Sequence, residues 1–363
     1  MALWPQRHNT ITPQRQNSKP MYSNTSNRFT TIRSANPFLL VVTLLLFITP
    51  LMGQADSLDQ FHSIFKELKR DSILALSLET DFKKLVKKKY EEKYQPVTLK
   101  LSDGKGQPIT YEGKIRTRGN VRKKVCFYPP LKVKFKKQWL ADQGMDSVFN
   151  DLKLVIGCKK GDFYNGLVLK EFLAYQLYAE LTDYHFRTQL VDITIHDTGD
   201  KWKPYITKAF LIENQDEMAF RFNGRCTKPR IMRSKAIWED QLALMTLFQY
   251  MIGNTDWAFA NSHNVRFVRS RELLRVIPIA YDFDYAGMVN APYAVHRESI
   301  GIEDIQEHYF LGNCKHKDAF EKITPLFLEK KERFYKMVNE FVCLLYTSPS
   351  PRDLSTSRMP SSA

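Results

Sequence analysis

The sequence contains no Cys-x-x-Cys pair, although it has five cysteines in 363 residues. Common structural zinc sites take two of their ligands from such a pair, so its absence argues against a zinc-stabilised domain. Residues 56–342 also lack internal repeats and low-complexity stretches, which excludes solenoids and other repeat architectures. What remains is a chain rich in aromatic residues, typical of a globular protein with a substantial core.

Acidic residues are absent from the first 55 positions. Arg28 and Arg33 precede an apolar run of eleven residues, 38–48, and small residues follow at Gly53 and Ala55. This order is typical of a secretory signal peptide, and eleven residues are too few to cross a bilayer as a helix. We therefore expect an exported protein, located in the periplasm, on the cell surface or outside the cell. The alternative is an uncleaved leader that serves as a membrane anchor.

The other end of the chain has an unusual composition. Residues 343–363 resemble the translation of a sequencing-library adapter, and we expect them to be an artefactual tail. The leader holds five basic residues and the tail one net positive charge, so the +15 of the whole chain leaves +9 for residues 56–342. Export permits disulfides between the four remaining cysteines. Of the three pairings, Cys126–Cys158 is favoured because both residues flank neighbouring predicted strands.

Hydrophobic periodicity predicts two kinds of element. Strands are expected at 73–80, 97–101, 111–118, 131–135 and 152–156, forming a mainly antiparallel sheet, and further strands at 190–195 and 207–212. Long helices are expected at 168–181 and 238–252, the second ending at Gly253. Residues 265–268 and 276–280 read as a strand pair, and the chain beyond residue 303 as mostly helical.

The densest group of polar side chains surrounds this strand pair. Asp256, Asn261, Asn264, Asp282 and Asp284 fall within 29 positions. Hard divalent cations prefer oxygen ligands, and phosphoryl transfer uses a carboxylate near the attacking hydroxyl. The sequence thus predicts a site for metal-assisted phosphoryl transfer. The alternative is that these residues only cap helices and shape turns.

A second group is basic. Between Lys114 and Lys137 the chain has ten Lys or Arg residues and no acidic residue. Lys132 and Lys134 share one face of a predicted strand, because side chains alternate with period two. An anion is expected to face them, either nucleotide phosphates or Glu171 of the following helix. A solvated strand face is the alternative. Nucleic-acid binding is disfavoured because aromatic residues are not interleaved regularly with these cations.

These groups together resemble the CotH-like atypical kinases, in particular exported members of Bacteroidetes type. The similarity spans about residues 70–300 and rests on four segments: Arg118-Gly-Asn120, Leu131–Phe135, Asn254-Thr-Asp256 with His263-Asn264, and Pro278 with Asp282-Phe-Asp284. The resemblance implies an α+β, protein-kinase-like two-lobed fold. Its β-rich N-lobe with a central helix would comprise residues 56–215, and its mainly helical, truncated C-lobe residues 216–342.

The resemblance also implies roles for individual residues. Asp256 would be catalytic, orienting or deprotonating the acceptor hydroxyl. Asp282 would join the metal to the phosphates, with Asp284 and Asn264, or alternatively Asn261, as further metal ligands. Nucleotide binding would fall to Lys134 or Lys132, Glu171 and Arg118. The implied cofactors are ATP and Mg²⁺ or Mn²⁺, and the implied partners are a nucleotide and a protein substrate, with no nucleic acid and no membrane contact except through the leader.

The chain departs from the family pattern in two places. It has no glycine-rich phosphate-covering loop, since 103–106 is expected to be a hairpin turn, and Pro278 lies further from Asp282 than is usual. Two other functions therefore stay open. One is a catalytically silent cell-surface or adhesion protein on the same scaffold. The other is a metal-dependent hydrolase that uses Asp282, Asp284 and His263.

Overall fold

The computed structural model describes residues 61–101, 109–228 and 236–347, which contain two β-sheets. The larger sheet closes on itself to form a barrel. Its seven strands are β1 (Leu74–Thr80), β2 (Gln95–Leu101), β3 (Ile109–Thr117), β4 (Leu131–Phe135), β5 (Asp151–Ile156), β6 (Thr188–Asp197) and β7 (Tyr205–Ile212). They are hydrogen-bonded in the order β1–β2–β3–β4–β5–β7–β6, and β6 pairs with β1 to close the ring.

Closure depends on a single parallel pairing. Strand β6 runs parallel to β1, with Leu74 opposite Val191 and Thr80 opposite Asp197. The other neighbouring strands are antiparallel, which the sequence predicts for the first five strands. A parallel pair needs a long crossover connection, here more than a hundred residues, and the closed ring leaves no unpaired edge strand.

The barrel interior is filled by the inward-facing residue of each alternating pair. In β4, Leu131, Val133 and Phe135 are buried, whereas Lys132 is half-buried and Lys134 is exposed. Helices α1 (Ile64–Leu68) and α2 (Phe82–Lys87) add apolar side chains to the same core. Each fully buried side chain of this kind stabilises the fold by roughly 1.5–3 kcal/mol.

Most of the remaining elements form a second layer outside the barrel, whereas one short helix packs Leu140 into the barrel core. The helices are α3 (Val121–Val125), α4 (Lys137–Asp142), α5 (Asp162–Ala179), α6 (Gln215–Phe220), α7 (Glu239–Met251), α8 (Lys317–Glu329) and α9 (Lys331–Thr347). Strands β8 (Gly224–Thr227), β9 (Val265–Ser270) and β10 (Val276–Ala280) form a three-stranded sheet in the order β10–β9–β8. Two short 3-10 helices span Glu298–Ile300 and Cys314–His316.

A second hydrophobic core joins this layer to the barrel. Helix α5 packs on the outer side of the barrel against β5, β6 and β7. Its aromatic residues Phe172, Tyr175 and Tyr178 are buried with Phe248 of α7 and with the β9–β10 hairpin. Helix α5 is apolar on nearly all sides because it lies between two sheets rather than at the surface.

The predicted protein-kinase-like two-lobed fold is wrong, although the protein is α+β. The seven predicted strands do not form an open lobe, because β6 returns beside β1 and closes the sheet into a barrel. Residues 216–342 are not a mainly helical lobe, because they contain a three-stranded sheet of their own. Alternation in sequence identifies strands, but it does not reveal which strands meet at the two edges of a sheet.

Other predictions have separate outcomes. Cys126 and Cys158 form a disulfide with their Cα atoms 4.7 Å apart, which confirms the favoured pairing.

Three predictions lie outside the described residues: the leader 1–55, the turn 103–106 and the tail beyond residue 347. Helix α9 continues into the expected tail as far as Thr347. Within the described segments, the helices are all too short or too polar to span a membrane.

Candidate functional site

The β9–β10 hairpin brings the two halves of the acidic group together. Helix α7 ends before Gly253, whose positive φ of 64° turns the chain into the loop that carries Asp256. Strand β9 then starts at Val265, directly opposite Ala280 at the end of β10. The pairing continues by one bond, in which Tyr281 N–H donates to Asn264 O at 3.1 Å. The antiparallel register therefore places Asn264 beside the Tyr281–Asp284 segment.

Asp256 is held by three side chains of its own loop. His263 Nε2 lies 2.9 Å from Asp256 Oδ1, and Asn264 Nδ2 donates to Asp256 Oδ2 at 2.9 Å. The backbone N–H of Asp256 donates to Asn254 Oδ1 at 2.9 Å. Burial raises the pKa of Asp256; neighbouring His263 acts in the opposite direction, and the charge of Asp282 adds to the rise. The loop thus presents an oriented, half-buried carboxylate.

The two predicted amide ligands occupy different environments. Asn264 has a positive φ of 50°, which asparagine tolerates better than most residues, and its side chain contacts Asp256. Asn261 is exposed, and its Oδ1 accepts the backbone N–H of His263 at 3.1 Å. The structure therefore brings Asn264 to the carboxylates and gives Asn261 a role in the turn.

Asp284 and Glu171 are buried on either side of Arg122 from α3. Arg122 Nη1 lies 3.4 Å from Glu171 Oε2, and Arg122 Nε lies 3.9 Å from Asp284 Oδ2. Tyr293 O–H donates to Asp284 Oδ2 at 3.2 Å. Burial and then the charge of Asp282 raise the pKa of Asp284 to about 7. Burial likewise raises the pKa of Glu171 well above its usual value, and Arg122 only partly offsets this.

Basic residues lie near Asp282 as well. Lys153 of β5 has its Nζ 4.1 Å from the centre of the Tyr281 ring, and this buried nitrogen has no hydrogen-bond partner among the described residues. Arg118 Nη2 donates to Tyr281 Oη at 2.6 Å. Burial lowers the pKa of Lys153 well below its usual value, and the positive charges of Arg118 and Arg266 lower it further. An anion bound here would reverse that effect.

The lysines predicted to bind phosphate lie elsewhere. Lys134 is exposed, and Lys132 Nζ pairs with Asp151 Oδ1 at 3.0 Å. The expected lysine–Glu171 pair does not form among the described residues, since the cation that contacts Glu171 is Arg122. Lys153 is opposite Lys132 on the neighbouring strand, one strand closer to α5. Paired residues point to the same side of the sheet, so both lysines are on the outer face of the barrel, but it is Lys153 on which the charge of Asp282 acts, whereas Lys132 pairs with Asp151.

Lys153 and Arg122 were both missed in the sequence. Lys153 did leave a signal, because it is the only charged residue among the apolar residues 152–156. A lone lysine in a strand that is otherwise buried on both faces requires an anion or a special environment. Arg122 carried no comparable signal, since it is followed directly by Lys123 and Lys124 and reads as part of a basic run.

Binding of magnesium and ATP requires oxygen donors for the metal and cations for the phosphates. In the described residues, no group of three or more His, Cys, Asp or Glu side chains has the arrangement of a metal site. Mg²⁺ does not require one, since it is often held by one or two carboxylates together with phosphate oxygens and water. The unpaired atoms Lys153 Nζ and Glu171 Oε1, together with the raised pKa values of Asp256 and Asp284, fit a site that receives both an anion and a cation.

A cavity of about 720 Å³ adjoins the Asp256 loop. Its lining comes from residues 290–305 and includes Arg297, whose Nη2 donates to Trp257 O at 3.0 Å. Trp257 directly follows Asp256, so Arg297 joins the cavity to the Asp256 loop, although neither Asp256 nor Lys153 is among the residues that line it. The cavity therefore adjoins the loop that carries Asp256, while Asp282 is partly exposed and its neighbours Tyr281 and Asp284 are buried.

No protein-family model matches this sequence, and no curated protein matches it either. The functional argument therefore rests on the geometry and charges of the site.

Proposed function

We propose that the protein transfers a phosphoryl group from ATP, in the presence of Mg²⁺, to a hydroxyl group of a protein substrate. The observation that carries this proposal is the position of Asp282 between carboxylates and cations. Its negative charge adds to the burial that raises the pKa of Asp256 and Asp284, and it also acts on Lys153 and Arg118. Phosphoryl transfer needs both kinds of group, carboxylates for the metal and cations for the phosphates.

Each residue has a chemical task in this proposal. Asp256 orients the acceptor hydroxyl and accepts its proton, with His263 and Asn264 holding the carboxylate in place. Lys153 and Arg118 bind phosphate oxygens. Magnesium, when bound, neutralises charge on the phosphates, and Asp282, Asp284 and Asn264 are the side chains that would hold it. The cavity lined by Arg297 is the open space in which the acceptor segment would bind.

Two features support phosphoryl transfer over the hydrolase alternative. His263 contacts Asp256 and therefore supports the acceptor side of the site, instead of joining Asp282 and Asp284. The unpaired Lys153 Nζ also fits an anionic phosphate chain better than a neutral hydrolase substrate. The sequence resemblance to CotH-like kinases points to the same reaction, without the two-lobed fold that it implied.

The test is incorporation of labelled phosphate from ATP into a generic protein substrate and into the protein itself. We expect incorporation by the wild type with Mg²⁺, and a loss of at least about 100-fold in Asp256→Ala and Asp282→Ala. Thermal melts should confirm that both variants fold. Equal incorporation by all three proteins would exclude the assigned roles. If none incorporates phosphate, and ATP with Mg²⁺ does not stabilise the folded wild type, the catalytically silent alternative is favoured.

A further inference from the structure

Four loops converge at one end of the barrel. The register places the end of β1 beside the end of β6, the end of β3 beside the start of β4, and the start of β7 beside the end of β6. Segments 81–94, 118–130 and 198–204 follow these strand ends. Segment 157–163 leads from the end of β5, which lies beside the start of β4, into α5. They come from separate parts of the sequence, so only the closed barrel assembles them. We call this surface the lysine-rich end.

The lysine-rich end exposes apolar side chains. Phe127 is 49 % exposed, Val125 is 50 % exposed and Phe163 is 61 % exposed. The ring of Phe127 lies 5.6 Å from that of Trp202, so the aromatic side chains of two loops are in contact. Lys160 Nζ lies 3.9 Å from the centre of the Tyr205 ring. Cations and apolar groups are therefore mixed within one surface.

The same surface carries most of the excess positive charge. Segment 81–94 holds six lysines, and each of the other three segments holds two, against five acidic residues in all four. Three of these acids, and Asp197 at the adjoining end of β6, are engaged locally. Asp81 and Asp197 accept backbone N–H groups of α2, while Glu91 and Glu92 pair with neighbouring lysines. The exposed charge at this end is consequently positive.

A disulfide holds two of the four loops together. Cys126 precedes Phe127, and Cys158 precedes Lys159 and Lys160, so their bond ties an apolar loop to a basic one. Tyr128 N–H donates to Cys158 O at 3.0 Å, and Lys89 Nζ donates to Cys126 O at 2.8 Å. The apolar and basic groups are therefore presented by a constrained surface instead of separate flexible loops.

We propose that the lysine-rich end binds the surface of a membrane that contains anionic lipid. Lysine side chains attract anionic headgroups over distance, and exposed Phe and Val side chains insert at the boundary between headgroups and acyl chains. A nucleic acid is the less suitable polyanion. The arginines of segment 118–130 that would bind phosphate in pairs of hydrogen bonds, Arg118 and Arg122, are turned into the buried site.

The experiment measures binding of the purified protein to phosphatidylcholine vesicles with and without phosphatidylglycerol, by sedimentation. We expect binding to depend on phosphatidylglycerol and to weaken as salt rises toward about 0.5 M. Reversing two charges in Lys159→Glu/Lys160→Glu should weaken binding by at least about tenfold. The matched control is Lys136→Glu/Lys137→Glu, two exposed lysines at the opposite end of the barrel, which should have little effect.

A second pair of variants tests the apolar part. Val125→Ser should weaken vesicle binding, whereas Val148→Ser, which alters a 65 % exposed valine near the opposite end, should not. Thermal melts verify that each variant folds. Binding through the apolar run of the leader would respond to neither Lys159→Glu/Lys160→Glu nor Val125→Ser and would contradict the proposal. The proposal would also be contradicted if vesicle binding were absent and the protein instead bound a single-stranded oligonucleotide tightly, with Lys159→Glu/Lys160→Glu and Val125→Ser abolishing that binding.

Discussion

Lys153 Nζ lies 4.1 Å from the centre of the Tyr281 ring, and the guanidinium carbon of Arg266 lies 4.5 Å from the same centre. Cation–π attraction offsets part of the cost of burying an ammonium group, but it does not replace a hydrogen-bonded anion. Asp282 follows Tyr281 directly, so this costly arrangement stands beside the proposed phosphate site. A buried charged group without a hydrogen-bonded partner lowers the stability of the fold. Such groups are common at sites where a bound ligand supplies the missing partner.

Lys153→Met should separate ligand binding from stability. The methionine removes the buried cation, so stabilisation by ATP with Mg²⁺ should disappear while the free energy of unfolding without ligand rises by about 1 kcal/mol or more. Lys134→Met alters an exposed lysine on β4 and should change that free energy by less than about 0.5 kcal/mol, with ATP binding intact. Urea unfolding with and without nucleotide measures both effects. The reverse pattern, with binding lost only in Lys134→Met, would contradict the role of Lys153.

Asn264→Gly should impair phosphate transfer more than Asn261→Gly. Glycine retains the positive φ of residue 264 but removes the carboxamide that holds Asp256, so we expect a loss of about 10–100-fold in rate. Asn261→Gly removes only an exposed turn contact and should change the rate by less than about threefold. Initial rates with labelled ATP provide the measurement. Similar losses in both variants would show that the loop, and not the Asn264 side chain, is responsible.

The raised pKa of Asp284 predicts that the stability of the fold depends on pH. Its pKa is raised from 3.8 to about 7 in the folded protein, mainly by burial and then by Asp282. The folded protein therefore retains a proton that the unfolded chain releases, and the free energy of unfolding falls as pH rises through this range. Asp284→Asn should reduce that fall by on the order of 2 kcal/mol between about pH 5 and about pH 7.5.

Urea unfolding at the two pH values measures this difference. Asp318→Asn, which changes an exposed carboxylate on α8, serves as the control and should leave the fall unchanged. An unaltered pH dependence in Asp284→Asn would mean that Asp284 does not retain the proton.

The disulfide should contribute measurably to stability. Cys126 and Cys158 are 32 positions apart, and a bond that closes a loop of this size stabilises a protein by about 2–4 kcal/mol. Replacing both cysteines by serine should lower the melting temperature and abolish its sensitivity to reductant. Cys226→Ser, which removes a free cysteine, should retain the full sensitivity. A reductant effect that persists in the Cys126/Cys158 variant would indicate another disulfide.

Local patterns in the sequence were reliable guides to individual elements. The strand 131–135 and the strand 276–280 have the predicted bounds, and the helix predicted to end at Gly253 does so. In contrast, α3, α4, α6 and β8 were not predicted, since each has six residues or fewer and shows too little periodicity to be recognised. The sequence did not reveal that Lys132 and Lys134 lie away from the aspartates of the site. Alternation in a strand identifies which residues share a face, but not which elements that face contacts.

By itself, the sequence determined the local part of the site. Asp256, Asn264 and Asp282 are close in sequence, and the antiparallel register of one short hairpin is enough to bring their segments together. The tertiary structure decided which cations join them, because Lys153 and Arg122 reach the aspartates from distant parts of the chain. It also decided the barrel, since β1 and β6 pair across more than a hundred residues. Such pairings depend on the energy of the whole packed chain, which no local pattern records.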